Sequence, residues 1–511
     1  MAAKRPVAAR AVLEDMLVHQ PADTTARLYL AGLLGAEDCQ RAAVAQTLEA
    51  ARFPPRDPSL LGDLVAALIW AGELVAARHF LDSPVFQSST SPAVLMRAAG
   101  QRQAIGDNVL ALELMQRARS FGATGPGVLF HHAVQLGFNG RLEEARAGLE
   151  ECIRWEPPVG GAFVELARMG RITPEHNHVD RIVQATGRTP PTSFDRAALE
   201  FALFQELHDL QQHADAWQAL SRGNAIMRGH FPHDAAGDAS LFKGMTRLCT
   251  ADFVRPPRIE MDTGPQPIFI VGLPRSGTTL LERLLGNHSQ IASAGELGDF
   301  PRSLFLVSDH LPRGMFDDTT LTRLPTLDWR RVGQTYLAQT RWRAGGARFF
   351  VDKLPRNWMV AGLIHMALPA AKILHIVRDP MDVCFSNWRA YFGHGSEYAY
   401  AYDLDALASH HAHYRSLMAH WRAIAPGRIF DVDYDSLVRQ PESTLRDILA
   451  FCGLAYEHGC ADPARNATPS ATLSMSQIRQ GIRTDTFAAW RPYADQLAGL
   501  RAALENSVPA A

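Results

Sequence analysis

At 511 residues the chain exceeds what one hydrophobic core usually supports, so two or more domains are expected. Its 51 Lys plus Arg against 53 Asp plus Glu leave no basic field over the whole surface, which argues against nucleic acid or an anionic membrane as partner; any anion site must be local. The six cysteines, Cys39, Cys152, Cys249, Cys384, Cys452 and Cys460, lie far apart with no C-x-x-C pair, which suits buried thiols better than a zinc site or a disulfide framework.

The chain begins MAAKRPVAARAVLEDMLVHQ, with basic residues but no apolar h-region, and nowhere does a run of about 18 apolar residues occur. No membrane span and a cytoplasmic location are expected. Self-similarity follows. "GELVAAR" from Gly72, "GDNVLAL" from Gly106 and "GRLEEAR" from Gly140 are spaced 34 residues apart, each with alanine five residues on, at Ala77, Ala111 and Ala145. Weaker copies stand at Asp38 with Ala43 and in "QHADAWQAL" with Ala216. Period and pattern resemble tetratricopeptide repeats, whose small residues let paired antiparallel helices pack closely; a helical bundle with chance alanines is the competing reading. Such arrays form an all-α solenoid whose concave face commonly binds a protein or peptide.

The array is expected over 1–250. The stretch "ADFVRPPRIEMDTGPQP" (251–267) breaks helical periodicity with four prolines and a glycine, so a linker is drawn over 251–266 and a second domain over 267–511. In that domain "PIFIVG" (267–272), "RFFVD" (348–352), "KILHIV" (372–377) and "RIFDVDY" (428–434) read as short strands separated by helical segments, the mark of an α/β fold with a central parallel sheet. Ligands of such sheets bind beyond the carboxyl ends of the strands.

After the first strand comes "VGLPRSGTT" (271–279), then "LLERLL" with leucines on one helical face. A glycine turn between strand and helix directs backbone N–H groups and the positive end of the helix dipole at one spot, where an anion is favoured. Gly272 and Gly277 have phosphate-loop spacing, yet Thr278 replaces the lysine that bridges phosphates in nucleotide hydrolases and kinases. Arg275, Ser276, Thr278 and Thr279 suit an oxyanion held in a fixed position, without a metal being indispensable.

"GLPRSGTTLLERLL" resembles the 5′-phosphosulfate loop of sulfotransferases that use 3′-phosphoadenosine 5′-phosphosulfate, and "ILHIVRDPMDVCFSNW" (373–388) resembles their 3′-phosphate motif. The likeness covers roughly 265–500 and is nearest to the tyrosylprotein-sulfotransferase-like branch, whose bacterial members commonly carry N-terminal tetratricopeptide repeats. It implies a P-loop-type sulfotransferase fold and donor contacts from Arg275, Ser276, Gly277, Thr278 and Thr279 to the phosphosulfate and from Arg378 and Ser386 to the ribose 3′-phosphate. Alone, "VRDP" reads equally as a strand-end salt bridge. The resemblance further implies Glu296 of "SAGELGDF" as catalytic base, with Asp299 and Glu282 as nearby alternatives, Glu282 reading as a solvated helix face, and a cap or ion pair as the other reading of Glu296. Lys353 of "VDKLPRNW" would act on the bridging oxygen and sulfuryl group, oriented by Asp352, with a plain surface lysine as the alternative; Arg356 would touch substrate or be structural.

"ATLSMSQIRQGIRTDTFAAWRPY" (471–493) is similar to the branch's third motif, which gives Ser474 the sulfuryl or phosphate oxygens and has Arg479 and Trp490 close over the nucleotide; Leu473 and Arg483 depart from that motif. His375 reads as a core residue inside a strand, and His394, in the aromatic-rich "YFGHGSEY", as a lining residue of the acceptor site. The expected activity is transfer of a sulfuryl group to a free hydroxyl, with a peptide tyrosine as the acceptor the branch suggests; a non-catalytic repeat scaffold and a P-loop metabolite kinase are the competing functions.

Overall fold

The computed structural model describes residues 4–256, 263–312, 314–393, 395–466, 468–472, 481–482 and 487–506, without the side chains of 4–7. From Lys4 to Leu248 every named element is an α-helix, and four successive antiparallel pairs carry the repeat: Thr24–Ala36 with Gln40–Ala51, Pro58–Ala71 with Leu74–Leu81, Pro92–Ala104 with Asn108–Ser120, and Pro126–Phe138 with Leu142–Cys152. A fifth pair, Phe194–Asp209 with His213–His230, follows two further helices, Gly160–Arg168 and Val179–Arg188. The repeat period is written into both ends of the first helix of a pair. Pro58, Pro92 and Pro126 open it, where a fixed φ and a missing N–H cost nothing. A residue of positive φ closes it: Asp38 (60°), Gly72 (79°), Gly106 (81°), Gly140 (81°) and Gln211 (63°). In each case the next N–H reaches back to a carbonyl five residues earlier, Cys39 to Leu34, Glu73 to Leu68, Asp107 to Arg102, Arg141 to Leu136 and Gln212 to Leu207, at 2.8–2.9 Å. The alanines that mark the repeats, Ala43, Ala77, Ala111, Ala145 and Ala216, are all 0% exposed, because the helices of a pair cross at those positions.

The second region is built on β1 (Gln266–Val271), β2 (Ile291–Ser293), β3 (Phe349–Asp352), β4 (Lys372–Val377) and β5 (Ile429–Asp433), all parallel in the order β2-β3-β1-β4-β5. The chain leaves β1 toward β2 and leaves β4 toward β5 on the other side, so a crevice opens beyond the carboxyl ends of β1 and β4, the topological switch point where such sheets bind ligands. Both faces are covered. Ile268 and Ile270 of β1 pack with Leu281, Leu284, Leu374 and Leu437 in one apolar layer, and Phe269 and Val271 join the other.

That second layer does not stop at the helical array. One continuous cluster holds Leu112, Leu136 and Phe204 from the array with Tyr336, Trp358, Phe385 and Tyr493 from the sheet region. Tyr493 is fully buried, with ring centres 5.4 Å from Phe385, 5.7 Å from Trp217 and 6.1 Å from Phe204, and its hydroxyl lies 2.9 Å from His208 Nδ1. The polar seam runs along the repeat turns themselves. Asp38 accepts from the Leu311 N–H and from His310, the Arg41 N–H donates to Asp309, Gln339 donates to Glu73, Arg343 donates to the Ile105 carbonyl, and the Ser470 N–H donates to the Phe138 carbonyl. Surface pairs of this kind contribute roughly 0–1 kcal/mol each, whereas each buried large apolar side chain contributes roughly 1.5–3 kcal/mol, so the shared apolar layer holds the two regions together and the turns set their register.

His310 is the histidine of that seam, and it titrates near neutral pH. It donates to Asp38 at 2.6 Å and to Asp317 at 2.9 Å. Burial works against its charged ring, but the two carboxylates outweigh it and hold its pKa above the ordinary value. Its stabilising contribution is therefore complete below about pH 6.5 and is lost as pH rises through the elevated folded pKa. Thermal unfolding of the chain and of His310→Asn, measured from pH 6 to pH 9, is expected to show the parent more stable at pH 6 and the gap narrowing with rising pH; a gap that widens would rule this out.

Candidate functional site

The loop after β1 needs its glycines for different reasons. A side chain at Gly272 (φ 154°) would come within 2.9 Å of the Ile376 carbonyl on β4, and one at Gly277 (φ 108°) would drive into the Tyr434 ring. Between them Arg275 takes a left-handed conformation (φ 66°) that is costly for a residue with a side chain. The surroundings impose it. Asn387 donates to the Pro274 carbonyl at 2.8 Å, Arg378 donates to the Arg275 carbonyl at 3.2 Å, and the Gly272 N–H donates to the Pro355 carbonyl at 3.1 Å. The helix Thr278–Leu285 then starts with its N-terminus at the crevice.

A cavity of about 360 Å³ occupies that crevice, at the low end of the range for small-molecule sites. Its wall brings together Arg275, Gly277, Thr278 and Thr279 of the loop, Arg378 and Ser386 of the second motif, and Glu296. Ser276 is buried beneath the loop, outside the wall. Arg378 lies 4.5 Å over the Tyr434 ring and 3.9 Å from Asp382, in the next helix turn. Burial, then Arg168, Arg389 and Arg378 in that order, push the Arg275 guanidinium down to about 9, with Tyr434 opposing. Four guanidiniums thus share one low-dielectric region, an arrangement that favours a ligand carrying several negative charges.

At the other end of the cavity, Lys353 is 0% exposed, and its Nζ donates to Glu296 Oε1 at 2.5 Å. Glu282 supplies a second carboxylate, 4.0 Å from Lys353 Nζ, while its other oxygen accepts the Gly295 N–H at 3.0 Å. Burial raises the Glu282 pKa, against the pull of Lys353. The expected solvated face for Glu282 is corrected: the helix lies between the sheet and the β2 loop, so its Glu282 side is covered as well as its leucine side. Asp352 also differs from expectation. Its partners are the Tyr336 hydroxyl (3.0 Å), the Leu354 N–H (3.3 Å) and Asn357 (3.5 Å), because successive strand residues point to opposite faces; burial holds its pKa well above the usual carboxylate range. Asp299 is buried near Arg343, away from the cavity wall. Arg356 stands 3.7 Å from Glu397. His375 is a satisfied core histidine between Asp431 (2.7 Å) and the Tyr414 hydroxyl (2.5 Å).

Ser474, Arg479, Leu473, Arg483 and His394 lie outside the described residues. Phe392 and Tyr398 stack at 4.3 Å and both line the cavity. Burial, with Glu296 next in effect, pushes the Tyr398 phenol up to about 12. Trp490 packs half-buried against the shared core, and its neighbour Ala489 lines the wall. Sequence reasoning missed Arg389, three residues beyond Ser386 on the same helical face and so recoverable from spacing. It also missed Val134, Phe138 and Glu165, which reach the wall from the helical array and carry no local signal of a site.

Relatives and solved structures match parts of the chain. An uncharacterized protein of Aquifex aeolicus (strain VF5) is 28% identical over 397 residues, 75% of this chain and 51% of that protein, so the chain spans about half its relative's length. The sulfotransferase domain from the Synechococcus PCC 7002 olefin synthase covers 47% of this chain and 98% of its own at 19% identity and TM-score 0.28. YrrB, described as a TPR protein with an unusual peptide-binding site, covers 40% of this chain and 96% of its own at 14% identity and TM-score 0.26. Among the described residues no helix is long and apolar enough to cross a membrane. Residues 267–458, which hold the loop, Glu296, Lys353, Arg378 and Ser386, match the model of the sulfotransferase family.

Proposed function

We propose that the chain is a sulfotransferase of the tyrosylprotein-like type, moving a sulfuryl group from 3′-phosphoadenosine 5′-phosphosulfate to an acceptor hydroxyl. The observation that supports it best is that Arg275 of the loop, Arg378 and Ser386 of the second motif and Glu296 open on one cavity, with Lys353 buried behind Glu296. The donor supplies an activated sulfuryl group whose departure leaves a phosphate. Arg275, Gly277, Thr278 and Thr279 of the loop hold the phosphosulfate end, Ser276 supports the loop from beneath, and Arg378 and Ser386 hold the ribose 3′-phosphate. Arg479 and Ser474, from the third motif, belong to the same reading.

Glu296 is the base. Its side chain is 39% exposed, so an acceptor hydroxyl can reach it, whereas Lys353 is sealed behind it. In the ligand-free chain the two neutralise each other. When Lys353 turns to the sulfuryl oxygens, Glu296 loses its cation and becomes the better proton acceptor, so donor engagement and base activation are coupled. Glu282 positions both, by holding the Gly295 turn before Glu296 and by lending Lys353 a second counter-charge. The stacked Phe392 and Tyr398 beside Glu296 support a phenolic acceptor, and the array residues on the wall support one carried on a peptide.

With labelled donor and a tyrosine-containing peptide pool, Glu296→Gln and Lys353→Met are each expected to lower kcat by about 10²- to 10³-fold, the scale for a lost base or electrostatic group, while 3′-phosphoadenosine 5′-phosphate still binds within a few-fold of the parent. Full activity in either variant sinks the assignment. Arg378→Ala is expected to weaken binding of 3′-phosphoadenosine 5′-phosphate by about 10- to 100-fold and that of adenosine 5′-phosphate by several-fold less, the shared part of the loss coming from the loop carbonyl that Arg378 holds, as read by calorimetry. Equal losses for both nucleotides would place Arg378 elsewhere.

A further inference from the structure

Asp382 lines the cavity, yet it carries the same sign of charge as the ligand that the surrounding guanidiniums favour. It sits in the first turn of the helix Pro380–Trp388, where Asp379 accepts the Asp382 N–H at 2.9 Å, so an acid at this position complements the helix dipole whichever way its side chain points. The side chain is almost wholly buried, 5% exposed, and its two oxygens have separate partners. Oδ1 accepts the Ala488 N–H at 2.8 Å, and Oδ2 stands 3.9 Å from Arg378 Nη2. Burial raises the Asp382 pKa, and Arg378 and then the Ala488 N–H pull against that rise.

Ala488 belongs to the C-terminal segment whose described pieces, 481–482 and 487–490, reach the cavity through Gly481, Ile482 and Ala489. Its φ is 54°, a left-handed conformation that is costly for a residue with a side chain. Before it, the Phe487 ring lies 5.8 Å from the Tyr434 ring; after it, Ala489 lines the wall. Tyr434 also carries Arg378, 4.5 Å over its ring, and crowds Gly277 of the first loop. All three motifs thus meet at Asp382 and Tyr434. A helix-dipole role accounts for an acid in the first turn, but not for an oxygen that holds the backbone of a wall segment 106 residues further along the chain.

We infer that Asp382 is a positioning residue of the nucleotide site: it holds the backbone at Ala488 so that the C-terminal segment forms the wall, and its charge tempers the grip of Arg378 on the ribose 3′-phosphate. This rests on the donor reading above. At 3.9 Å the carboxylate is too far from Arg378 for a hydrogen bond, so it lowers the local positive potential without taking one of the N–H donors that a phosphate would use. The two effects act on a ligand in opposite directions. The bond to Ala488 builds a wall that serves any adenosine nucleotide, whereas the charge weighs only on one that carries a 3′-phosphate, and it eases departure of the spent nucleotide.

Calorimetric binding of 3′-phosphoadenosine 5′-phosphate and of adenosine 5′-phosphate to the whole chain tests this, alongside Asp382→Asn and Asp382→Ala, with thermal midpoints as a folding check. Asparagine keeps an oxygen for the Ala488 N–H and loses the charge; alanine loses both. Asp382→Asn is expected to bind 3′-phosphoadenosine 5′-phosphate about three- to fivefold more tightly than the parent, and adenosine 5′-phosphate within about twofold of it. Asp382→Ala is expected to bind both nucleotides about tenfold more weakly than Asp382→Asn does. A purely structural role would lower the midpoints and leave both affinities within about twofold of the parent in both variants, which overturns the inference while the donor reading stands. Weaker binding of 3′-phosphoadenosine 5′-phosphate by Asp382→Asn overturns it too, and decides the matter alone if Asp382→Ala does not fold. Absence of any binding to the parent chain overturns both readings.

Discussion

The hydrogen bond from the Arg378 guanidinium to the Arg275 carbonyl is the contact on which the candidate site depends. It joins the ends of two neighbouring strands, β1 and β4, and it can form only because the sheet order places those strands side by side. It also helps hold Arg275 in its left-handed conformation, so the loop presents its cation and its amides toward the crevice instead of folding back over the strand. The cost is electrostatic: two guanidiniums are brought into a region from which water is partly excluded. Asp382, 3.9 Å from Arg378, and the Tyr434 ring beneath Arg378 offset part of that cost.

A second balance of charge governs the other end of the cavity. Lys353 is fully buried between two carboxylates of different character, Glu296 toward the opening and Glu282 toward the helix. A buried ammonium needs a partner at all times, and two candidates allow it to move without ever being bare. Glu282 is also tied to the backbone at Gly295, so the turn that aims Glu296 and the charge that steadies Lys353 depend on a single side chain. That economy explains a buried glutamate in a helix otherwise committed to apolar packing.

The helical array bears on the site through geometry of its own. Its regular turns, each closed by a residue of positive φ, form the edge that meets the sheet region, and Asp38, Glu73, Ile105 and Phe138 make contacts there at successive repeats. A repeating turn is a good docking edge because its exposed carbonyls and cap side chains recur at fixed spacing. The apolar layer shared by Phe204, Phe385 and Tyr493 then brings the helices Pro126–Phe138 and Gly160–Arg168 over the crevice. Tyr391, Ser470 and the helix end at Trp388 are held by array residues, and array residues line the cavity, so its wall is composite.

Local patterns in the sequence were enough to determine the helix pairs, the positions of their buried alanines, four of the five strands and the loop between β1 and its helix, because periodicity and turn chemistry act over a few residues. Loop chemistry marked Arg275, and the resemblance of the motifs to those of sulfotransferases marked Arg378, Ser386, Glu296 and Lys353, whose motifs sit at strand ends where a parallel sheet gathers them. Tertiary structure alone decided that Glu282 is buried against Lys353 and that Asp352 turns to Tyr336. It alone brought Val134, Phe138 and Glu165 to the cavity from more than a hundred residues away in the chain. Those placements follow from how two regions pack along a shared apolar layer, and packing between distant segments leaves no periodic trace in either one.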